Sequence, residues 1–148
     1  MQDFGADLAV LPADIDPDFV KPGDTHTLRV SVRHDDTHGY IFVNNYQRRL
    51  TMDDHKDVVL KGKTKGEPVC FPKTDIASGE YAFYPYNMKI GNAVLVSALA
   101  TPLCKLSCKD EDVYVFYGDK TRSLHGMVHL RRFCILAVKT HCQQQELH

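Results

Sequence analysis

From Thr27 onward the apolar positions recur with a period of two. In residues 27–33, Leu28, Val30 and Val32 alternate with Arg29, Ser31 and Arg33, the pattern of a half-buried strand. Tyr40-Ile41-Phe42-Val43 is apolar at every position, which predicts a strand covered on both faces. Asp35-Asp36-Thr37-His38-Gly39 between them is turn chemistry and predicts a short hairpin. Weaker alternation follows around Val58 and Leu60, then Val69 and Phe71. Ser78-Gly79 turns into residues 80–84, where Tyr81 and Phe83 share a face predicted to point to the core. Ile90-Gly91-Asn92 turns into residues 93–99. Residues 112–117 are dense in valine and aromatics and close at Gly118-Asp119. Residues 127–136, extending toward Lys139, supply the last one or two strands. No amphipathic helical period of useful length interrupts this series. The expected fold is all-β, an antiparallel β-sandwich or Greek-key barrel in a single domain.

Proline and aspartate dominate the start (Pro12, Pro17, Pro22; Asp14, Asp16, Asp18), so residues 1–23 read as an irregular lead-in or linker. Residues 24–140 form the β-domain and 141–148 a polar tail. The length of 148 residues suits one domain able to bury a core without staples. A net charge of −1 with scattered ionic residues offers no basic stripe; Lys61-Gly62-Lys63-Thr64-Lys65 reads as the solvated face of a hairpin, so no nucleic acid is expected. No apolar run is long enough for a membrane helix, and Met1-Gln2-Asp3-Phe4-Gly5 lacks the features of a signal peptide. Five cysteines cannot all pair within the chain. Cys70, Cys104 and Cys134 lie in apolar strand-like text and read as buried, reduced and inert, which points to a cytoplasmic address.

Several constellations invite a chemical reading. Cys104 with Cys108, and His125 with His129, are four apart, but along a strand that spacing separates them by about 13 Å, too far for one zinc ion. A nucleophilic pair of Cys104 or Cys134 with His125 or His129 would need a thiol of depressed pKa, which apolar surroundings oppose. No nucleophile elbow and no phosphate-cradling glycine loop is present, so neither metal nor cofactor is expected. Asn44-Asn45-Tyr46-Gln47-Arg48 reads first as a strand-ending turn held by asparagine side chains, with Arg48 placed to pair with Asp53 or Asp54. Its functional alternative is a sugar contact, with Asn, Gln and Arg on hydroxyls and Tyr46 stacked on a pyranose face. Tyr84-Pro85-Tyr86 reads as a bend whose hydroxyls find partners at the rim. With Asn87 it forms the second sugar-contact candidate, though packing is the preferred reading of these rings.

Leu28-Arg29-Val30-Ser31-Val32-Arg33-His34 and Gly39-Tyr40-Ile41-Phe42-Val43-Asn44-Asn45-Tyr46-Gln47-Arg48 resemble text found after the catalytic barrel of bacterial family-35 glycoside hydrolases, the β-galactosidase type. Tyr84-Pro85-Tyr86-Asn87-Met88, Ala98-Leu99-Ala100-Thr101-Pro102-Leu103 and Val113-Tyr114-Val115-Phe116 are similar to further segments of that group, as is Asp3-Phe4-Gly5. The resemblance runs from Asp3 to Asp119. Enzymes of this family use two glutamates on a (β/α)8 barrel, about 5–5.5 Å apart, as acid/base and nucleophile. No βαβ alternation and no Asn-Glu or Glu-Asn-Glu element occurs here, and Glu67, Glu80, Glu111 and Glu146 fall in turns, at strand edges or in the tail. The resemblance therefore implies no catalytic residue in this chain. It implies a non-catalytic accessory domain, a scaffold or wall of the substrate cleft, whose partners are neighbouring domains of the parent hydrolase. Exposed apolar surface would also permit self-association. The alternatives are a stand-alone carbohydrate-binding module and a β-sandwich protein-interaction domain.

Overall fold

The computed structural model describes residues 2–15, 20–91, 93–108, 111–118 and 124–127. In chain order these form α1 (Gln2–Val10), β1 (Ala13–Ile15), β2 (Arg29–His34), β3 (Gly39–Asn44), β4 (His55–Val58), β5 (Lys61–Gly62) and β6 (Val69–Cys70). They continue with β7 (Thr74–Ile76), β8 (Tyr81–Ile90), β9 (Ala93–Ala98), β10 (Thr101–Cys108), β11 (Glu111–Tyr117) and β12 (Leu124–Met127). The fold is all-β and sandwich-like, as the period-two pattern predicts. Its main layer is an antiparallel sheet in the order β1-β2-β3-β8-β9-β12, and β4 with β7, β5 with β6, and β10 with β11 form two-stranded ladders around it.

The register explains which side chains meet. Val32, Ile41 and Tyr84 are successive cross-strand partners through β2, β3 and β8, and so are Val30, Val43 and Ala82. Ile76 of β7, with Leu60 just before β5 and Phe71 just after β6, packs with Val32, Ile41, Val43, Tyr84 and Tyr86 in one apolar cluster. β3 lies between β2 and β8 and is buried at Tyr40, Ile41 and Val43, with Phe42 half-buried against Phe83 at 5.5 Å. That agrees with its unbroken apolar run. A second cluster joins Met88, Ile90, Leu95 and Ala98 to Ala100 and Phe116 beside β10 and β11, and to Phe4 of α1.

The lead-in is a correction. Residues 1–23 are not all irregular: α1 occupies most of the first ten positions, and β1 adds to the sheet edge through Ala13↔Arg33, Asp14↔Val32 and Ile15↔Ser31. Gln2–Val10 holds no proline and carries Gln2, Ala6, Leu8 and Ala9 as helix formers, and Pro12 stands just past its end. The helix is fixed from outside: Phe4 is buried in the second cluster, and the Arg33 guanidinium donates to the carbonyls of Leu8 (3.2 Å) and Leu11 (3.1 Å), which the helix itself leaves unpaired. An ion pair from Lys63 to Asp14 ties β1 to the short ladders and holds the Asp14 carboxyl below its ordinary value.

Three further expectations are corrected. Tyr81 points to solvent, 75% exposed, because the inward parity of β8 belongs to Ala82, Tyr84 and Tyr86. Tyr84-Pro85-Tyr86 is continuous strand rather than a bend. Cys70 is exposed and Cys104 half-buried rather than buried; both are free thiols. Cys134 and nearly all of the strand expected at 127–136 lie outside the described residues, as does the tail at 141–148.

Candidate functional site

Residues 44–48 end β3 as a structural corner. Asn44 Oδ1 accepts the Tyr46 N–H at 2.9 Å, a local side-chain turn. Asn45 is fully buried; its Nδ2 donates to the carbonyls of Asp53 (2.8 Å) and Ala77 (3.0 Å), joining the loop after β3 to the turn before β8. Gln47 Oε1 accepts from Arg29 Nη2 at 2.9 Å, and Arg29 Nη2 also donates to the Asp24 carbonyl. The expected pairing of Arg48 is corrected: Asp53 binds His26 Nδ1 at 2.7 Å, and Asp54 accepts the Ser78 N–H at 2.8 Å. Tyr46 is the aromatic of this run and stands half exposed.

Tyr84 and Tyr86 are buried in the first cluster, so neither ring offers a face to a ligand. The Tyr86 hydroxyl donates to the Lys63 carbonyl at 2.8 Å, and burial pushes its pKa up to about 12. Asn87 adopts a left-handed backbone (φ 49°) and donates from Nδ2 to the Thr37 carbonyl at 2.9 Å. Asn44 pairs with Tyr81 at one end of the β3–β8 ladder, whereas Gly39 pairs with Tyr86 at the other. Five steps of about 3.4 Å separate those ends, so the two candidate stretches do not form one site.

At the Tyr86 end lies a cleft of ≈ 490 Å³ that the sequence did not announce, between α1, the β2–β3 turn, β8, β10 and β11. Its lining includes Phe4, Asp7, His38, Tyr40, Asn87, Met88, Lys89, Lys105 and Tyr114. Asp7 is the hub. Oδ2 accepts the Tyr40 hydroxyl at 2.6 Å, and Oδ1 lies 3.1 Å from His38 Nε2. His38 Nδ1 in turn lies 3.2 Å from Asp35 Oδ2, so both imidazole nitrogens face carboxylates. Burial, then the bond to Asp7, pushes the Tyr40 hydroxyl pKa far above its ordinary value, and it stays a donor. Across the cleft Lys105 Nζ binds Asp112 Oδ2 at 2.8 Å and sits 5.5 Å from the Tyr114 ring centre.

Asp35 sets the turn that presents His38. Its Oδ1 accepts the Thr37 N–H (2.7 Å), the Thr37 hydroxyl (2.7 Å) and the His38 N–H (2.9 Å). The Thr37 hydroxyl first, and then the His38 N–H, hold the Asp35 carboxyl well below the usual carboxylate range, against the opposing effect of burial. The unfolded chain takes up this proton near pH 4, about the ordinary aspartate value, while the folded chain resists it. The contribution to stability is thus complete above that pH and is lost as pH falls through the folded-state value. Unfolding curves collected at descending pH are expected to show a steeper acid limb for the native chain than for Asp35→Asn. Equal acid limbs would contradict the bonding described.

Cys104 and Cys108 both lie on β10 with no register shift between them, which keeps them about 13 Å apart along the strand. His125 lies on β12, paired in register with Ser97, and His129 lies outside the described residues. Among the described residues no three His, Cys, Asp or Glu side chains converge as metal ligands, and no helix is long and apolar enough to cross a membrane. Compared with protein-family models, curated proteins and solved structures, the chain matches none.

Proposed function

We propose that this chain is a non-catalytic accessory domain of a larger β-galactosidase-type glycoside hydrolase, docked on a neighbouring domain through the outer face of the β10–β11 ribbon. The attachment to that enzyme type rests on the resemblance of residues 28–34, 39–48, 84–88, 98–103 and 113–116. The observation that carries the docking is the ribbon itself. Its register pairs Thr101 with Tyr117, Cys104 with Val115 and Leu106 with Val113 on one face, and Pro102 with Phe116 and Lys105 with Tyr114 on the other. Phe116 is buried in the core, so the first face turns outward. Leu106 (51%) and Tyr117 (46%) stand exposed there, with Leu103 beside them at the register shift. Contiguous apolar side chains on an outward β face mark a surface meant to be covered. The Asn44-Asn45 corner fits a scaffold as well, since its side chains are spent on the fold.

The test uses a family-35 galactosidase from which its own accessory β-domain has been removed. This chain is expected to bind that barrel and to show no hydrolysis of nitrophenyl β-galactoside alone. Leu106→Glu with Tyr117→Glu is expected to weaken binding at least about tenfold, as for central apolar anchors of an interface. Hydrolysis by the isolated chain, or failure to bind the stripped barrel, overturns the proposal; a stable homodimer disrupted by the same two substitutions would assign the face to self-association instead.

A further inference from the structure

We infer that the cleft between α1 and the β10–β11 ribbon is a binding site for one neutral, polyhydroxylated ring of pyranose size. The inference does not rest on the attachment to a hydrolase; it rests on how the charges in the cleft are spent. Lys105 is held by Asp112 at 2.8 Å, and His38 is bracketed by Asp35 at 3.2 Å and Asp7 at 3.1 Å. An anionic ligand would have to compete with the carboxylates already bound to these two side chains. A divalent cation fares no better, because both Asp7 oxygens are engaged, by the Tyr40 hydroxyl and by His38, and among the described residues no other carboxylate lines the cleft. Lys89 stands exposed at the rim and can donate without being desolvated.

What the cleft does offer is a fixed carboxylate with acceptor capacity left over. Each carboxylate oxygen has two lone pairs, so Asp7 retains one on each oxygen after Tyr40 and His38 are served. Two acceptors on one carboxylate match the spacing of adjacent ring hydroxyls. Those hydroxyls donate without bringing in a charge, and charge-assisted hydrogen bonds of this kind are the strong ones. Phe4 and Met88 line the cleft as buried apolar side chains, and Tyr114, with Lys105 Nζ 5.5 Å from its ring centre, adds an aromatic surface of the kind that packs on the C–H face of a sugar ring. The volume of ≈ 490 Å³ lies in the range of small-molecule sites and holds one or two pyranose rings. Carboxylate orientation is fixed in advance by Tyr40, which is buried and held within β3, so little ordering is left to the ligand.

The experiment is an amide-shift NMR titration of the full chain with methyl β-galactopyranoside and methyl β-glucopyranoside, run against adenosine and sodium acetate. Saturable shifts with at least one pyranoside, centred on the amides of Asp7, His38, Asn87 and Tyr114, are expected. A dissociation constant of about 1 mM suits an open cleft and one small ring. Asp7→Asn should weaken binding at least about tenfold, and so should Tyr114→Leu, which keeps apolar bulk at the wall. Because Asp7→Asn also loosens α1, Tyr114→Leu is the variant that keeps the test decisive. Tyr46→Ala, at the other end of the β3–β8 ladder, should leave the affinity unchanged. Absence of saturable shifts at these amides overturns the site, as does a response to adenosine or acetate in place of the pyranosides, or unchanged affinity in Tyr114→Leu. None of these results bears on the outward ribbon face, so this site and the docking proposal fail separately.

Discussion

Gly62→Ala is expected to destabilise the domain by about 3 kcal/mol, the upper end of ordinary overpacking in a filled core. A Cβ at position 62 would lie 2.7 Å from Cγ, Cδ1 and Cδ2 of Tyr86, inside any contact real atoms make. The glycine is not in the left-handed region, so the cost is contact alone. The ring has nowhere to go. Tyr86 is fully buried, its hydroxyl is tied to the Lys63 carbonyl at 2.8 Å, and Phe71 meets it edge-on at 6.4 Å. On its other side Gly39 presses on the hydroxyl, where a Cβ would come within 2.6 Å of the oxygen and 2.4 Å of the Arg33 carbonyl. Expelling the ring would forfeit a buried aromatic, about 3–5 kcal/mol, so the core yields by strain rather than by ejection. Denaturant unfolding should show a lower midpoint at unchanged slope. In a Tyr86→Leu background the same glycine substitution should cost less than about 1 kcal/mol, since its clash partner is gone. Additive losses in the double variant would place the strain elsewhere.

That pair of glycines also shows where sequence patterning stops. The period-two run at 28–33 and the unbroken apolar run at 40–43 were legible because each carries its own record of how far its strand is covered. β8 was harder. Tyr81 and Phe83 share one parity and Tyr84 and Tyr86 the other, and only the partner strands decide which set goes in. Pro85 made the segment look like a bend. It is tolerated because it pairs with Tyr40 on one side and lies beyond Tyr86↔Ser97, the last partner given by β9, on the other. β5 and β6, of two residues each, are too short to carry a period at all. α1 was invisible for a different reason: its anchor is one phenylalanine, and the carbonyls of Leu8 within it and Leu11 just past its end are capped by Arg33, 25 and 22 residues away. The cleft is assembled in the same manner. Asp7 meets His38 and Tyr40 across 31 and 33 positions, and no local spacing records such a meeting.

Asn44-Asn45 was partly legible, and the unseen part carries the larger effect. Asn44 makes the local bond that turn chemistry predicts, exposed to water, so Asn44→Ala should cost under about 1 kcal/mol. Asn45→Ala should cost about 3 kcal/mol. Its amide is the sole side-chain donor shown to the Asp53 and Ala77 carbonyls, and its own N–H and C=O pair with Glu80 (2.8 Å) and Gly79 (2.9 Å), so the residue joins three segments at a buried point. Truncation strips the Asp53 carbonyl of its donor, worth about 1–3 kcal/mol, and leaves the Ala77 carbonyl with the Glu80 N–H at 3.2 Å alone, with the Asn45→Ala void added. Asn45→Asp should be worse, about 4–5 kcal/mol, because a carboxylate sets acceptor against acceptor and brings charge into a dry corner. Asn45 Oδ1 is already buried with no partner among the described residues, so the corner has no donor to offer the new oxygen. The order Asn44→Ala, Asn45→Ala, Asn45→Asp in falling unfolding midpoint is the expected outcome. Were Asn45→Ala to cost no more than Asn44→Ala, the run would be free of structural duty, and its asparagines would have to be explained by something they bind.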